Sequence, residues 1–409
     1  MNSRSLDRYN RVVVMIIKTP ALEFDDRLRK EIVTCRQMGF DVSVRCVLDT
    51  NSLTSGFTWL RSPFRSYRLW SRRILPSHSF VWLHVLEFAM RLLLSNGGLF
   101  SRPDRACVQR VIWLHDPVLL PVVPLAALSR VCRRCTSIVW DQHELPPESW
   151  IRHTIARKIL KWAMALPDHL VCANAARVDY LKGKGIIYPQ QRTLVVNNYA
   201  DIEYATQPVV RLENDLLSWL DDEPYLLLQG GGSVLRNVES VLAAILSNEW
   251  PNVKVVIVGG YDKKLFEQAY QKNPKRFDQL IWLQGMVPQM DLARFADHAI
   301  GSLILYRASS PNQVYCEPNR LYQALCRGTP VIVGNNPPMV EVVSATGAGL
   351  ILDDDGSNPL GIIKAVQKLL TTPVYKAAAI RSSKMFQWQT QELNLAKALT
   401  DRQLNCVGG

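Results

Sequence analysis

Several features are scarce in this 409-residue chain, and each scarcity excludes something. Only nine cysteines are present, and they are scattered. Cys132 and Cys135 stand at C-x-x-C spacing, but no second Cys or His pair lies at zinc-site distance, so no metal site is expected. Scattered single cysteines fit small apolar packing roles in a reducing compartment. Neither G-x-G-x-x-G nor a P-loop occurs, which disfavours a plain NAD site or an NTPase. The start, MNSRSLDRYN, is polar and leads straight into an apolar strand, so no secretory signal is read. Residues 80–94 and 111–128 are apolar, but the first is short and holds His84, Glu87 and Arg91, and the second holds His115, Asp116 and three prolines; neither reads as a membrane span. No solenoid-period repeat and no low-complexity tract appears.

What is present is an ordinary globular composition, 48% hydrophobic with mean hydropathy -0.02, long enough for about two domains. The net charge of +12 is unevenly placed: residues 1–200 carry an excess of 14 positive charges, and residues 201–409 a deficit of 2. A basic first half suits an anionic membrane face, a phosphorylated acceptor, nucleic acid, or simply a solvated surface. Residues 57–75, FTWLRSPFRSYRLWSRRIL, interleave aromatics with arginines. Such a stretch suits peripheral contact with an anionic membrane, though a surface helix packing its rings inward has the same composition.

Periodicity places alternating strands and helices along the chain. RVVVMIIK reads as a buried parallel strand, RLRKEIVTCRQMGF as a helix closed near Gly39, and DVSVRCVL as the next strand. Further strands are read at RVIWLHDP, TSIVWDQHE, HLVCAN and TLVVNNYA. Residues 201–222, charged and mixed, read as an interdomain linker. A second series then runs through PYLLLQGGG, KVVIVGG, QLIWLQGMV, IGSLILYR, TPVIVGN and GAGLILD. The fold class is therefore α/β, with two doubly wound Rossmann-like domains at 1–203 and 204–380 and a helical tail at 381–409. Ligands of such sheets bind beyond the carboxyl ends of strands.

At one such end, QGGGSVLRNVES sets Gly230, Gly231 and Gly232 before Arg236, with Gly259 ending the next strand. Glycines let backbone amides approach phosphate oxygens, and an arginine adds charge-assisted bonds, so the loop reads as a diphosphate cradle or as a tight turn. Asp25 and Asp26 either face an acceptor or cap the following helix. Arg307, Ser309 and Ser310 follow the strand IGSLILYR, at another such end.

The stretch YCEPNRLYQALCRGTPVIVGNNPPMVEVV (315–343) resembles the nucleotide-sugar site of family 4 glycosyltransferases. That family carries E-x7-E, or Pro-x-Lys-x-x-Glu, followed by Gly-x-Pro-Val-Ile; here Pro318, Arg320, Gln323, Gly328, Pro330, Val331 and Ile332 run in that order. Gln323 takes the place of the acid that holds the ribose hydroxyls. Tyr315 takes the place of the other acid, with Glu317 two residues later. IVWDQHELPPE, holding Asp141, His143 and Glu144, resembles the D-x-H-E signature of one branch. VVNNYA and QLIWLQGMVPQMDLARFADHAIGSLILY match in order as well.

The resemblance spans residues 11–370 and implies a GT-B architecture. Two domains face each other across a cleft, and a C-terminal helix crosses back to the first. It implies metal-independent, retaining transfer from a UDP- or GDP-sugar, with no further cofactor, to a glycan or lipid-linked acceptor in surface polysaccharide or glycolipid synthesis. His115, Arg236 and Glu317 would be catalytic, and Gly230, Gly231, Gly232, Gly259, Pro318, Asn319, Arg320 and Gln323 would hold the donor. Asp141, His143 and Glu144 would face the acceptor. The protein would be cytoplasmic, peripheral on the inner membrane face, and would bind no nucleic acid. Gln323 and Tyr315 in place of acids also suit a second reading, a catalytically inactive scaffold of the same fold.

Overall fold

A computed structural model describes residues 11–18, 25–47, 64–67, 69–75, 81–94, 109–132 and 136–400. The chain divides into two compact units, Met1–Val196 with Glu392–Gly409, and Asn197–Gln391.

The first unit is built on a parallel sheet of order β3-β2-β1-β4-β5-β6-β7. Its strands are β1 (Arg11–Lys18), β2 (Asp41–Val47), β3 (Phe64–Ser66), β4 (Gln109–His115), β5 (Thr136–Gln142), β6 (His169–Cys172) and β7 (Thr193–Val195). β1, β4 and β5 are continuous apolar runs because both faces are covered, as parallel sheets require. The helix Asp26–Gln37 starts where the Asp25 carboxylate accepts from the Leu28 amide at 3.0 Å, so Asp25 is a cap. Cys35, Cys46 and Cys172 are buried in this unit, and burial pushes the Cys46 and Cys172 thiols up to about 12. Cys135 lies outside the described residues, and so do 57–63 and 68 of the aromatic–arginine stretch; within the remainder, Phe64–Ser66 form β3 and Ser71–Ile74 a short helix. The final helix, Gln389–Thr400, packs on this unit from Glu392 onward: Asn394 Nδ2 donates to the Val195 carbonyl at 2.9 Å.

The second unit holds a parallel sheet of order β10-β9-β8-β11-β12-β13. Its strands are β8 (Tyr225–Gln229), β9 (Lys254–Val258), β10 (Ile281–Gly285), β11 (Gly301–Ile304), β12 (Val331–Val333) and β13 (Gly349–Ile351). Two doubly wound α/β units are thus what the alternating pattern specifies.

One expectation fails. Residues 201–222 are no linker: the helices Ile202–Ala205 and Asn214–Leu220 pack Tyr204, Leu212, Leu216 and Leu220 into the second unit's core beside Tyr225 and Phe295. The charged composition misleads because the apolar residues form one narrow stripe. Arg327 fixes the segment in place. It pairs with Asp297 at 2.5 and 2.7 Å while donating to the carbonyls of Tyr204, Ala205 and Gln207. Arg327→Ala leaves the Asp297 carboxylate buried without its cation, and it is expected to cost about 3 kcal/mol in urea unfolding. The same variant should open 201–222 to limited proteolysis.

Candidate functional site

In the second unit the strand order reverses between the parallel strands β8 and β11, so the connections leaving them part, which is where such sheets open a crevice at their carboxyl ends. Residues 230–232 leave β8 here. The amides of Gly230 and Gly231 both donate to the Val258 carbonyl, at 2.7 and 2.8 Å, and the Gly259 amide donates to Gly285 at 2.6 Å. A Cβ on Gly231 would stand 1.7 Å from the Gly260 carbonyl oxygen, and its φ of +78° lies in the region glycine favours. These glycines therefore let two strand-end loops touch. The amides of Gly230 and Gly231 are engaged within the protein.

Positive charge gathers beside that loop. Arg236, in the 3₁₀ turn Val234–Arg236, lies half-buried against Gly230, with Nη1 3.5 Å from the Gly231 carbonyl. Arg320 is buried in the first turn of the helix Asn319–Cys326. It donates to the carbonyls of Gln229 at 2.5 Å and Leu305 at 3.3 Å, and its guanidinium lies 4.7 Å from the centre of the Tyr306 ring. Burial, opposed by Tyr306 and joined by the like charge of Arg236, lowers Arg320 to about 10. Among the described residues neither arginine has a carboxylate partner, and Arg320 Nε is buried without an acceptor.

The helix Asn319–Cys326 opens on Pro318 without a side-chain cap. Just before it, the buried Glu317 accepts from Asn197 Nδ2 at 2.8 Å and from the Tyr322 hydroxyl. Gln323, one turn along, is buried: its Oε1 accepts from Gln229 Nε2 at 2.5 Å, and its Nε2 donates to Gln289 Oε1 at 3.3 Å. Both ends of its amide are engaged inside the protein. Arg307 donates to Asn237 and Glu239, tying the loop after β11 to the Arg236 turn. The Ser309 amide folds back on the Arg307 carbonyl, and Ser310 pairs with Gln313.

The first unit reverses between β1 and β4, and here the structure brings together residues the sequence scattered. Arg27 and Glu31, one turn apart, face the ends of β4 and β5. Arg27 binds Asp141 through Nη2 at 2.9 Å and Nε at 3.1 Å, Glu31 at 3.0 Å, and the Val196 carbonyl at 2.5 Å. His115 Nδ1 lies 3.1 Å from His143 Nε2 and 3.6 Å from Glu31 Oε2; His143 Nε2 lies 3.3 Å from Asp141 Oδ2. Arg177 donates to the His143 carbonyl, and Asn174 caps its helix. Glu144 is exposed, off this network.

Burial alone raises Asp141, but Arg27 and His143 outweigh it and hold the carboxyl far below its usual range. Burial lowers His143, but the charges of Asp141 and Asp116 outweigh it and raise the ring to about 10. Burial and then the His143 charge push His115 well down, while burial and then Asp141 push Glu31 well up. Asp116, at φ +70° on the β4 end, is raised by burial to about 6 despite His143. Within the network Arg27 and His143 are the two cations that face Asp141, and Asp116 acts on the same His143 ring. Glu31, His115, Asp141 and His143 bring ligand-type atoms within 4.8 Å of one another. Arg27 already spans the two carboxylates, so a divalent cation there would face a guanidinium.

Sequence reasoning pointed to His115, Asp116, Asp141 and His143 at the strand ends but missed Arg27 and Glu31. Arg27 and Glu31 look like the solvated side of an amphipathic helix; only the i, i+4 spacing of opposite charges hints that they pair.

Comparisons with solved structures recover the fold over nearly the whole chain. Sucrose-phosphate synthase from Thermosynechococcus elongatus matches with TM-score 0.68 at 15% identity, covering 98% of this chain and 100% of its own. HepE from Anabaena in complex with UDP matches with TM-score 0.63 at 12% identity, covering 96% and 100%. The apo lipopolysaccharide outer core galactosyltransferase WaaB matches with TM-score 0.59 at 13% identity, covering 96% and 99%. These matches show the GT-B fold. No protein-family model matches the sequence, and no curated protein matches it. The family 4 resemblance and its D-x-H-E branch rest on the sequence alone.

Arg27→Ala strands Asp141 in the core beside a single cation and is expected to cost about 3–5 kcal/mol in urea unfolding. His143 carries a raised pKa, so its contribution is complete below about pH 6.5 and is lost as pH rises towards about 10. Wild type should therefore lose more stability than His143→Gln between pH 6.5 and 10. Parallel stability curves for the two proteins would contradict the charged His143.

Proposed function

We propose that the chain is a glycosyltransferase that takes a sugar from a UDP- or GDP-sugar held by the second unit. One observation carries this reading: at the switch point between β8 and β11, Arg236 lies against Gly230 and the buried Arg320 holds the adjacent Gln229 carbonyl, and among the described residues neither has a carboxylate partner. Two neighbouring guanidiniums repel each other, and a diphosphate is the anion that relieves them while fitting a strand-end crevice. The uncapped start of the helix Asn319–Cys326 adds favourable potential for the same group. The neighbours crystallised with UDP support this choice of ligand.

In the proposed reaction the sugar C1–O bond to the diphosphate breaks, and a bond to an acceptor hydroxyl forms on the same face. The acceptor proton passes to a donor phosphate oxygen. Arg236 stabilises the departing diphosphate, which is the usual role of a fixed positive group where charge develops. Asn319 and Pro318 shape the donor side, and Glu317, held by Asn197 and Tyr322, is placed to accept a sugar hydroxyl. Gln323 acts as a positioning residue through Gln229, since its own amide is engaged. His115, Asp141 and His143 shape the acceptor end of the first unit, for a lipid-linked saccharide in surface polysaccharide or glycolipid synthesis at the cytoplasmic face of the membrane. The fixed positive groups stand in the place a metal ion would serve.

The engaged Gln323 amide favours a second reading, an inactive protein that binds nucleotide-sugars without turning them over. A panel of UDP-, GDP- and ADP-sugars should raise the melting temperature of the wild type for at least one member. Arg236→Ala should weaken that binding about tenfold or more. If no donor binds, both readings fail; binding without hydrolysis or transfer selects the second.

A further inference from the structure

The helix Val81–Leu94 is apolar on two sides. Val85, Phe88, Ala89 and Leu92 are buried in the first unit, while Leu83, Leu86, Met90 and Leu94 face solvent, Leu94 at 81% and Met90 at 59% exposure. These exposed positions recur every three to four residues, the spacing of one continuous helical stripe. The helix's only ionic side chains, Glu87 and Arg91, neutralise each other at 2.8 Å. Glu87 also accepts from the amides of Trp70 and Ser71 at 2.7 and 2.8 Å, and Ser71 Oγ meets His84 Nδ1 at 2.8 Å. The short helix Ser71–Ile74 is thereby pinned beside the long one, and Trp70 and Ile74 are more than half exposed.

At the other end Trp82 packs on Trp150, with ring centres 4.5 Å apart. The chain then enters the helix Thr154–Met164, whose exposed Ile155, Ile159 and Trp162 again mark one stripe. That helix holds Arg157, Lys158 and Lys161 and no acidic residue.

We propose that this surface docks the first unit on an anionic lipid bilayer, with the Val81–Leu94 stripe lying in the interface and the basic helix Thr154–Met164 against the headgroups. Fourteen residues of helix measure about 21 Å, short of the roughly 30 Å hydrocarbon core, so the helix lies on the bilayer rather than across it. No helix among the described residues is long and apolar enough to cross. Exposed tryptophans beside aliphatic side chains suit the headgroup boundary. Charge decides between lipid and a second copy of the chain. Residues 1–200 carry 14 excess positive charges, so two such units repel, while an anionic leaflet attracts each of them. The proposal does not rest on sugar transfer and stands or falls separately from it.

The test is co-sedimentation of the full chain with phosphatidylcholine vesicles and with vesicles holding about one quarter phosphatidylglycerol. Wild type should bind the anionic vesicles about tenfold better, with binding that weakens as salt is raised. Leu86→Glu with Met90→Glu should abolish binding. Leu94→Glu, at a position too exposed to matter for folding, should weaken it severalfold if the double variant fails to fold. Lys158→Glu with Lys161→Glu should remove the preference for anionic lipid. The proposal is overturned if wild type ignores anionic vesicles, or if folded L86E/M90E and L94E bind as wild type does. A concentration-dependent dimer in light scattering that L86E/M90E abolishes would also overturn it and give the face to a second copy.

Discussion

The structure depends on one constraint: a charge taken out of water must find a counter-charge or lose its ionisation. The two units meet it differently at equivalent places in their sheets. In the first, Arg27 answers Asp141 with a two-point bond and reaches Glu31 and the Val196 carbonyl, while His143 supplies the second cation. Helix, β5 end and last strand of that unit are fixed to one another by a single guanidinium. In the second, Arg236 and Arg320 gather with carbonyls and a ring as partners and no acid. A switch point that neutralises itself is stable but has nothing left to bind an anion strongly. One that leaves positive charge uncompensated keeps binding energy in reserve for a ligand.

The fold was legible because burial on both faces of a parallel sheet leaves a plain mark in sequence. RVVVMIIK, TSIVWDQ and KVVIV each carry an unbroken apolar stretch in their middle, and each became an inner strand of its sheet. Residues 201–222 were misread for the opposite reason. Their apolar residues are few and spaced as a narrow stripe, and the contact that orders them comes from Arg327, more than a hundred residues away. The edge strand β3 was invisible because three residues carry no period, and their neighbours suggested a different use.

The site was half legible. The glycines after β8 and β9 stood where a phosphate loop belongs, but spacing cannot tell an amide offered to a ligand from one given to the next loop. Gly230 and Gly231 both spend theirs on Val258. Gln323 posed the same difficulty: its position matches a ribose ligand in the resembled family, yet Gln229 and Gln289 occupy its amide. Substituting Gln for an acid changes what the neighbours must do. A carboxylate in that place would lie near Arg320 and could compensate it; a neutral amide cannot, so the local field stays positive.

Charge also explains why residues 57–75 read as a membrane contact while 80–94, weighed only as a membrane span, did not. Residues 57–75 advertise themselves through alternating rings and arginines, but composition alone does not say which side chains reach water. In the helix Val81–Leu94 almost every residue is apolar, and such a sequence reads as core. Only the structure separates Phe88 and Leu92, which are core, from Leu86 and Met90, which are not. A helix that buries one apolar side and leaves another in water forgoes, on the second side, the roughly 25 cal/mol per Å² that burial would contribute. A bilayer interface under a basic surface is an environment in which that contribution would be recovered.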